Sequence, residues 1–239
     1  MTLLRRKKRT SAQIEEDITK FALSIIAEKG FVNVTLTEIA KAAKVEPSVF
    51  YKQYETLGDC LDKMVRKYDY WFSGIIENYK GNIYTEEGYQ YILEELFASF
   101  SENKIMQQLI RWELSDINET TLRTSQLREL HTIPLSEEFE KLFQDTPVDI
   151  RAISALVIGG IYYLILHGNL CNFCDINVGS EEGKKRIIDT ILYLSKKIFS
   201  ELNPDKERKE IAKNLKEKNI DWRIISECTG LPMDIIGTL

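Results

Sequence analysis

Histidine is almost missing from this 239-residue chain, with 2 copies, and proline (5) and glycine (12) are scarce. Each shortage excludes something. Two histidines leave little material for imidazole general-base chemistry or for a multi-histidine metal site. Few prolines and glycines argue against a sandwich or barrel built from many tight turns. Four cysteines are too few for a disulfide framework in a chain of this size, and they fit a reducing, cytoplasmic setting. The start, MTLLRRKKRT, has no apolar segment after its charges and so does not read as a secretory signal. No apolar run is expected to reach the length of a bilayer span. The sequence contains no Walker loop, no Gly-x-Gly-x-x-Gly after a strand, no His-Glu-x-x-His and no nucleophile elbow. An enzyme is therefore not expected, and no cofactor or metal is implied.

What remains is 44% hydrophobic residues in long stretches of helical period, so the fold class is all-α. Charge is unevenly placed. Residues 1–54 hold 10 Lys and Arg against 6 Asp and Glu, and the remainder 22 against 31. An acidic chain can still meet nucleic acid, because phosphates feel the local field within about 10 Å in salt.

The most informative stretch is TLTEIAKAAKVEPSVFYKQY, residues 35–54. Thr35 and Glu38 have the spacing of a capping box, and Leu36, Ile39, Ala40 and Ala43 share one face. Lys44 and Val45 end that helix, and Pro47 suits the first position of the next, which is expected to run to about Tyr54. Two short helices across a tight turn are a helix-turn-helix, whose second helix can enter a DNA major groove. Upstream, Arg5, Arg6, Lys7, Lys8 and Arg9 form a basic run, read either as a solvated tail or as an arm for phosphates or a minor groove. Helix 1 follows from a Thr10–Gln13 capping box, with Ile14, Ile18, Phe21, Ala22, Ile25 and Ile26 inward and Gly30 as its stop.

The segment from Ile18 to Val65 resembles the DNA-binding domain of TetR/AcrR-type transcriptional regulators. The resemblance lies in Ala22, Glu28-Lys29-Gly30-Phe31, Thr35, Glu38-Ile39-Ala40, Ala43, Val45 and the Phe50-Tyr51-x-x-Tyr54 close. It implies an N-terminal three-helix helix-turn-helix domain (1–56), a helical ligand-binding and dimerisation domain (57–203), and here an extra C-terminal helical tail (204–239). It implies a homodimer on double-stranded DNA at a palindromic operator, with a small-molecule effector and no membrane. Thr35 and Tyr51 would contact phosphates, and Thr37 joins the DNA-binding set. Ser48, Val49 and Gln53 would face base edges, and Lys52 a phosphate or a guanine. The family carries Gly where Lys44 stands, a small hydroxyl residue where Glu46 stands and Lys where Leu57 stands. The competing reading is a helical adaptor whose helix-turn-helix no longer binds DNA strongly.

Further along, one helix is expected from Gly58 to Tyr79, and others at 85–101, 103–117, 119–132, 134–144, 148–171 and 181–202, with Pro134 separating two of them. Dimerisation is assigned to 148–171 and 181–202 by the resemblance. Trp71, Phe97, Trp112 and Tyr162 are the candidates for lining an effector pocket. His167, Cys171 and Cys174 make a His-x3-Cys-x2-Cys motif, open between a zinc or thiol site and incidental cysteines, with Asp175 the nearest fourth ligand. The tail resembles short helical C-termini of some transposase-like and nuclease-like proteins through Ile224-Ile225-Ser226-Glu227-x-Thr229-Gly230-Leu231. It is expected to pack on the body or on a second copy.

Overall fold

A computed structural model describes residues 9–168 and 170–239, apart from the side chain of Glu207. Arg5, Arg6 and Lys7 of the basic run lie outside the described residues. Within them the fold is all-α, and the helices start where side chains can accept their free amides. α1 (Ser11–Lys29) opens on the Thr10–Gln13 capping box and stops at Gly30, whose φ of 80° suits glycine. α2 (Leu36–Ala43) is capped by Thr35, whose hydroxyl accepts from the Glu38 amide. The box is only half made. The Glu38 carboxylate accepts from the Thr35 hydroxyl at 2.9 Å and pairs with Lys29, instead of reaching the Thr35 amide. α3 (Pro47–Phe50) is shorter than the sequence suggests, a single turn prolonged to Tyr54 by turn-type backbone bonds.

The helix expected over 58–79 is interrupted. α4 (Leu57–Val65) passes through a 3-10 turn at Arg66–Tyr68 before α5 (Trp71–Glu77) begins. The break is where Asp69 turns inward: it is 6% exposed, and its carboxylate pairs with Arg123. An isolated helical stripe carries no trace of that long-range pair.

α6 (Glu86–Glu102), α7 (Lys104–Ser115) and α8 (Glu119–Phe143) build the body with α9 (Ile150–His167) and α10 (Glu181–Ser200). Pro134 does not end α8, which runs through it. A proline there removes one backbone bond and crowds the carbonyl four residues back, at about 3 kcal/mol. Both Pro134 and Leu130, which owns that carbonyl, are exposed, so water can take the freed oxygen.

One apolar core joins head and body. Ile18, Ile26, Ile39 and Phe50 belong to the same cluster as Leu93, Phe97, Leu109 and Phe143. Phe31 stacks on Trp112 at 4.7 Å, and Gln108 of α7 donates to the Ala27 carbonyl of α1. The tail forms α11 (Lys206–Glu217), α12 (Trp222–Thr229) and α13 (Met233–Thr238). Its buried residues, Ala212, Ile225, Leu231 and Ile236, make a separate small core, so its apolar packing is chiefly internal and not on the body.

α9 corrects another expectation. It is 18 residues long with a mean hydropathy of 1.7, long and apolar enough for a bilayer span by those two measures, despite Arg151, Ser154 and His167. Only 17% of it is buried within the chain.

Candidate nucleic-acid interface

The turn between α2 and α3 is where the sequence departs from the pattern it otherwise resembles. Lys44 takes φ 54°, ψ 50°, the left-handed region. A side chain there costs on the order of 1 kcal/mol. Lys44→Gly is therefore expected to raise stability by up to about 0.5 kcal/mol, net of the extra freedom glycine gives the unfolded chain. Urea denaturation measures it, as a higher midpoint at unchanged slope.

Arg9 supports the same turn. Its guanidinium donates to the Ala43 carbonyl at 2.8 Å and the Lys44 carbonyl at 2.6 Å, and pairs with Asp17 at 2.6 Å. A cation at a helix C-terminus satisfies carbonyls that the helix leaves free. Arg9, read from sequence as the end of a basic arm, is thus a strut of the helix-turn-helix. Its partners lie 34 and 35 positions away, beyond any local pattern.

The face beyond the turn divides cleanly. Phe50 and Tyr54 are buried, their rings 5.3 Å apart, and burial pushes the Tyr54 phenol up from its ordinary value. Ser48, Tyr51 and Lys52 are exposed, Tyr51 by 57%, and Val49 is half-buried. Thr35 and Thr37 are exposed at the start of α2. Gln53 behaves differently from the expectation: its amide donates to the Ser11 hydroxyl at 2.6 Å, so its side chain turns back to α1 and not outward to a base. Glu46, at the cap position of α3, makes no capping bond and stays exposed. Leu57 is half-buried against the core.

The body holds a cavity of about 430 Å³ between α5, α6, α8 and α9. Phe72, Leu93, Phe139 and Ile158 give it apolar walls, and Tyr89, hydrogen-bonded to Ser154 at 3.0 Å, a polar point. Arg128 also lines it, but both its ends are held by Glu113. Of the aromatic residues expected at such a cavity only Tyr162 lines it. Trp71 packs on Phe100, Phe97 is deep in the core, and Trp112 stacks on Phe31. Helical period marks these residues as inward but does not say which inward face meets a void.

α8 touches both the cavity and the head. Below its cavity-lining stretch, Arg123 reaches Asp62 of α4 at 2.9 Å and also pairs with Asp69, while Thr120 donates to Asp62 at 3.2 Å. Sequence reading found none of these four residues in this role.

Comparison of the whole fold with solved structures settles the architecture. A regulator of the TetR family from Vibrio parahaemolyticus superposes with a TM-score of 0.52 over 74% of this chain and 96% of that one. The fold is that of TetR-type regulators. A fatty acid degradation regulator, FadR, from Bacillus halodurans matches the TetR-type fold here at TM-score 0.56, over 78% of this chain and 97% of its own. FadR from Bacillus subtilis, solved in complex with stearoyl-CoA, gives 0.54 over 75% and 96%. Identities are 14%, 19% and 16%, so the likeness is one of fold. No family model and no curated relative matches the chain in sequence.

Proposed function

We propose that this chain is a DNA-binding transcriptional regulator, a homodimeric repressor acting in the cytoplasm and released from a palindromic operator by a small molecule held in the body cavity. The observation that carries the reading is the exposed Ser48–Tyr51–Lys52 edge, standing past a left-handed turn that Arg9 braces. Tyrosine and lysine there suit phosphate contact, and serine suits a base edge. Residues 1–56 would serve DNA, 57–203 ligand and dimer, and 204–239 would stand as an appended helical unit. Footprinting on the DNA upstream of the chain's own gene tests it. The expected result is protection of two half-sites about one helical turn or more apart, with affinity falling steeply with salt. Protection of nothing, or binding indifferent to salt, would sink the proposal.

The homodimer is proposed through α9 and α10. Leu156 (76% exposed), Tyr163, Tyr193 and Leu194 are apolar side chains open to solvent in the single chain. Gly159 and Gly160 have open space above them, room for a second helix to come close. Leu156→Asp places a charge on that face and is expected to shift sedimentation from dimer to monomer at micromolar concentration. An unchanged dimer would move the interface elsewhere.

A second reading, the adaptor without strong DNA binding, is favoured by Gln53 turning to Ser11 and by Glu46 standing uncapped at the start of α3. The salt dependence of binding to the upstream DNA separates the two readings.

A further inference from the structure

We propose that Cys171 is a covalent modification site for soft carbon electrophiles of the conjugated-carbonyl class, with His167 as its proton partner. The proposal goes beyond DNA binding and does not depend on it. α9 ends at His167, and the Cys171 sulfur lies 3.3 Å from the His167 Nε2, a nucleophile and a base within hydrogen-bond reach. The imidazole lies where it can accept the thiol proton as the sulfur attacks, an arrangement that activates an accessible cysteine. Cys171 is exposed, on the loop after α9.

The base is held by third groups. Tyr163 stacks on the His167 ring at 5.1 Å and 15°, and Phe173 meets it edge-on at 5.7 Å. Phe173 is fixed in turn by two backbone bonds exchanged with Ile176, at 3.1 and 2.9 Å. The ring of Phe173, 40% exposed, offers a planar unsaturated molecule an apolar surface beside the thiol. In the reaction the sulfur lone pair forms a C–S bond at the β-carbon. The alkene pair moves to the carbonyl side, and that carbon takes the proton held on His167. No oxidant or reductant is needed.

The other cysteines supply internal comparisons. Cys228 is exposed, and the Cys60 thiol is pushed up to about 12 by burial and is inert at neutral pH. The test is alkylation of the full chain with sub-stoichiometric N-ethylmaleimide at neutral pH, each cysteine followed by peptide mass spectrometry. Cys171 is expected to label at least about 10-fold faster than Cys228. His167→Ala should bring Cys171 to the Cys228 rate and leave Cys228 unchanged, and Cys174→Ser should leave the fast rate at Cys171. Labelling of Cys171 no faster than Cys228, a fast rate that survives His167→Ala, or its loss in Cys174→Ser would each overturn the proposal.

Discussion

Replacing Arg123 by alanine is expected to destabilise the protein by about 2–4 kcal/mol. The reason is what is left behind. Asp69 is 6% exposed, one of its oxygens has no partner, and Arg123 holds the other. Without the guanidinium a buried carboxylate stands alone, the situation that makes breaking an inner ion pair so costly. The figure sits below the usual range for a fully buried pair because Arg123 is itself 24% exposed. Asp69→Asn added to Arg123→Ala should recover about half the loss, since no uncompensated charge then remains. Chemical denaturation of the two variants checks this. Equal stabilities would mean that the pair contributes through packing alone.

The same clasp has a pH signature. Burial alone would raise the Asp62 carboxyl, but hydrogen bonds from Arg66 and Arg123 outweigh it, and the group sits below its ordinary 3.8. A carboxylate whose folded pKa is depressed adds stability above its unfolded pKa and loses it as pH falls through the folded value. Acid should therefore remove this contribution from just under pH 4 downward, in wild type and not in Asp62→Asn. The clasp also ties α4 to the helix that lines the cavity, so Arg123→Ala is expected to weaken any effect of a bound effector on DNA affinity.

Combined Tyr51→Ala and Lys52→Ala should lower affinity for the upstream DNA by about 10- to 100-fold while leaving the fold intact. Both side chains are exposed, so little packing is lost beyond the edge contact between Tyr51 and Phe50 at 5.9 Å. The two contributions separate. Lys52→Gln should reduce the slope of log affinity against log salt by about 1, one phosphate contact fewer. Tyr51→Phe keeps the ring and removes only the hydroxyl. Fluorescence anisotropy at several salt concentrations reads both. Wild-type affinity and slope in the double variant would show that this edge does not meet DNA, and would favour the adaptor.

The misreadings share a cause. Gln53 has the right position to reach bases, yet its amide meets Ser11, 42 positions earlier. Asp69 lies inside the span read as one helix, yet Arg123, 54 positions later, holds it inward where that helix is interrupted. Pro134 carries a strong local signal for a break, yet α8 runs through it where Leu130 and Pro134 are both exposed. Three of four aromatic residues placed at the cavity are inward but packed, because a void exists only where several helices fail to meet.

The sequence by itself determined the all-α class, most helix starts and the helix-turn-helix, because caps, a left-handed stop and apolar period act within four or five residues of chain. The Thr10 and Thr35 caps and the helix end at Lys44 are such cases. Only the tertiary structure decided that Arg9 braces the turn, that Arg123 joins head to body, which side chains line the cavity and that Cys171 lies against His167. Apart from that last pair, these depend on groups tens of residues apart meeting in space. Even at four residues' separation, the direction of a side chain beyond a helix end is set by packing and not by spacing.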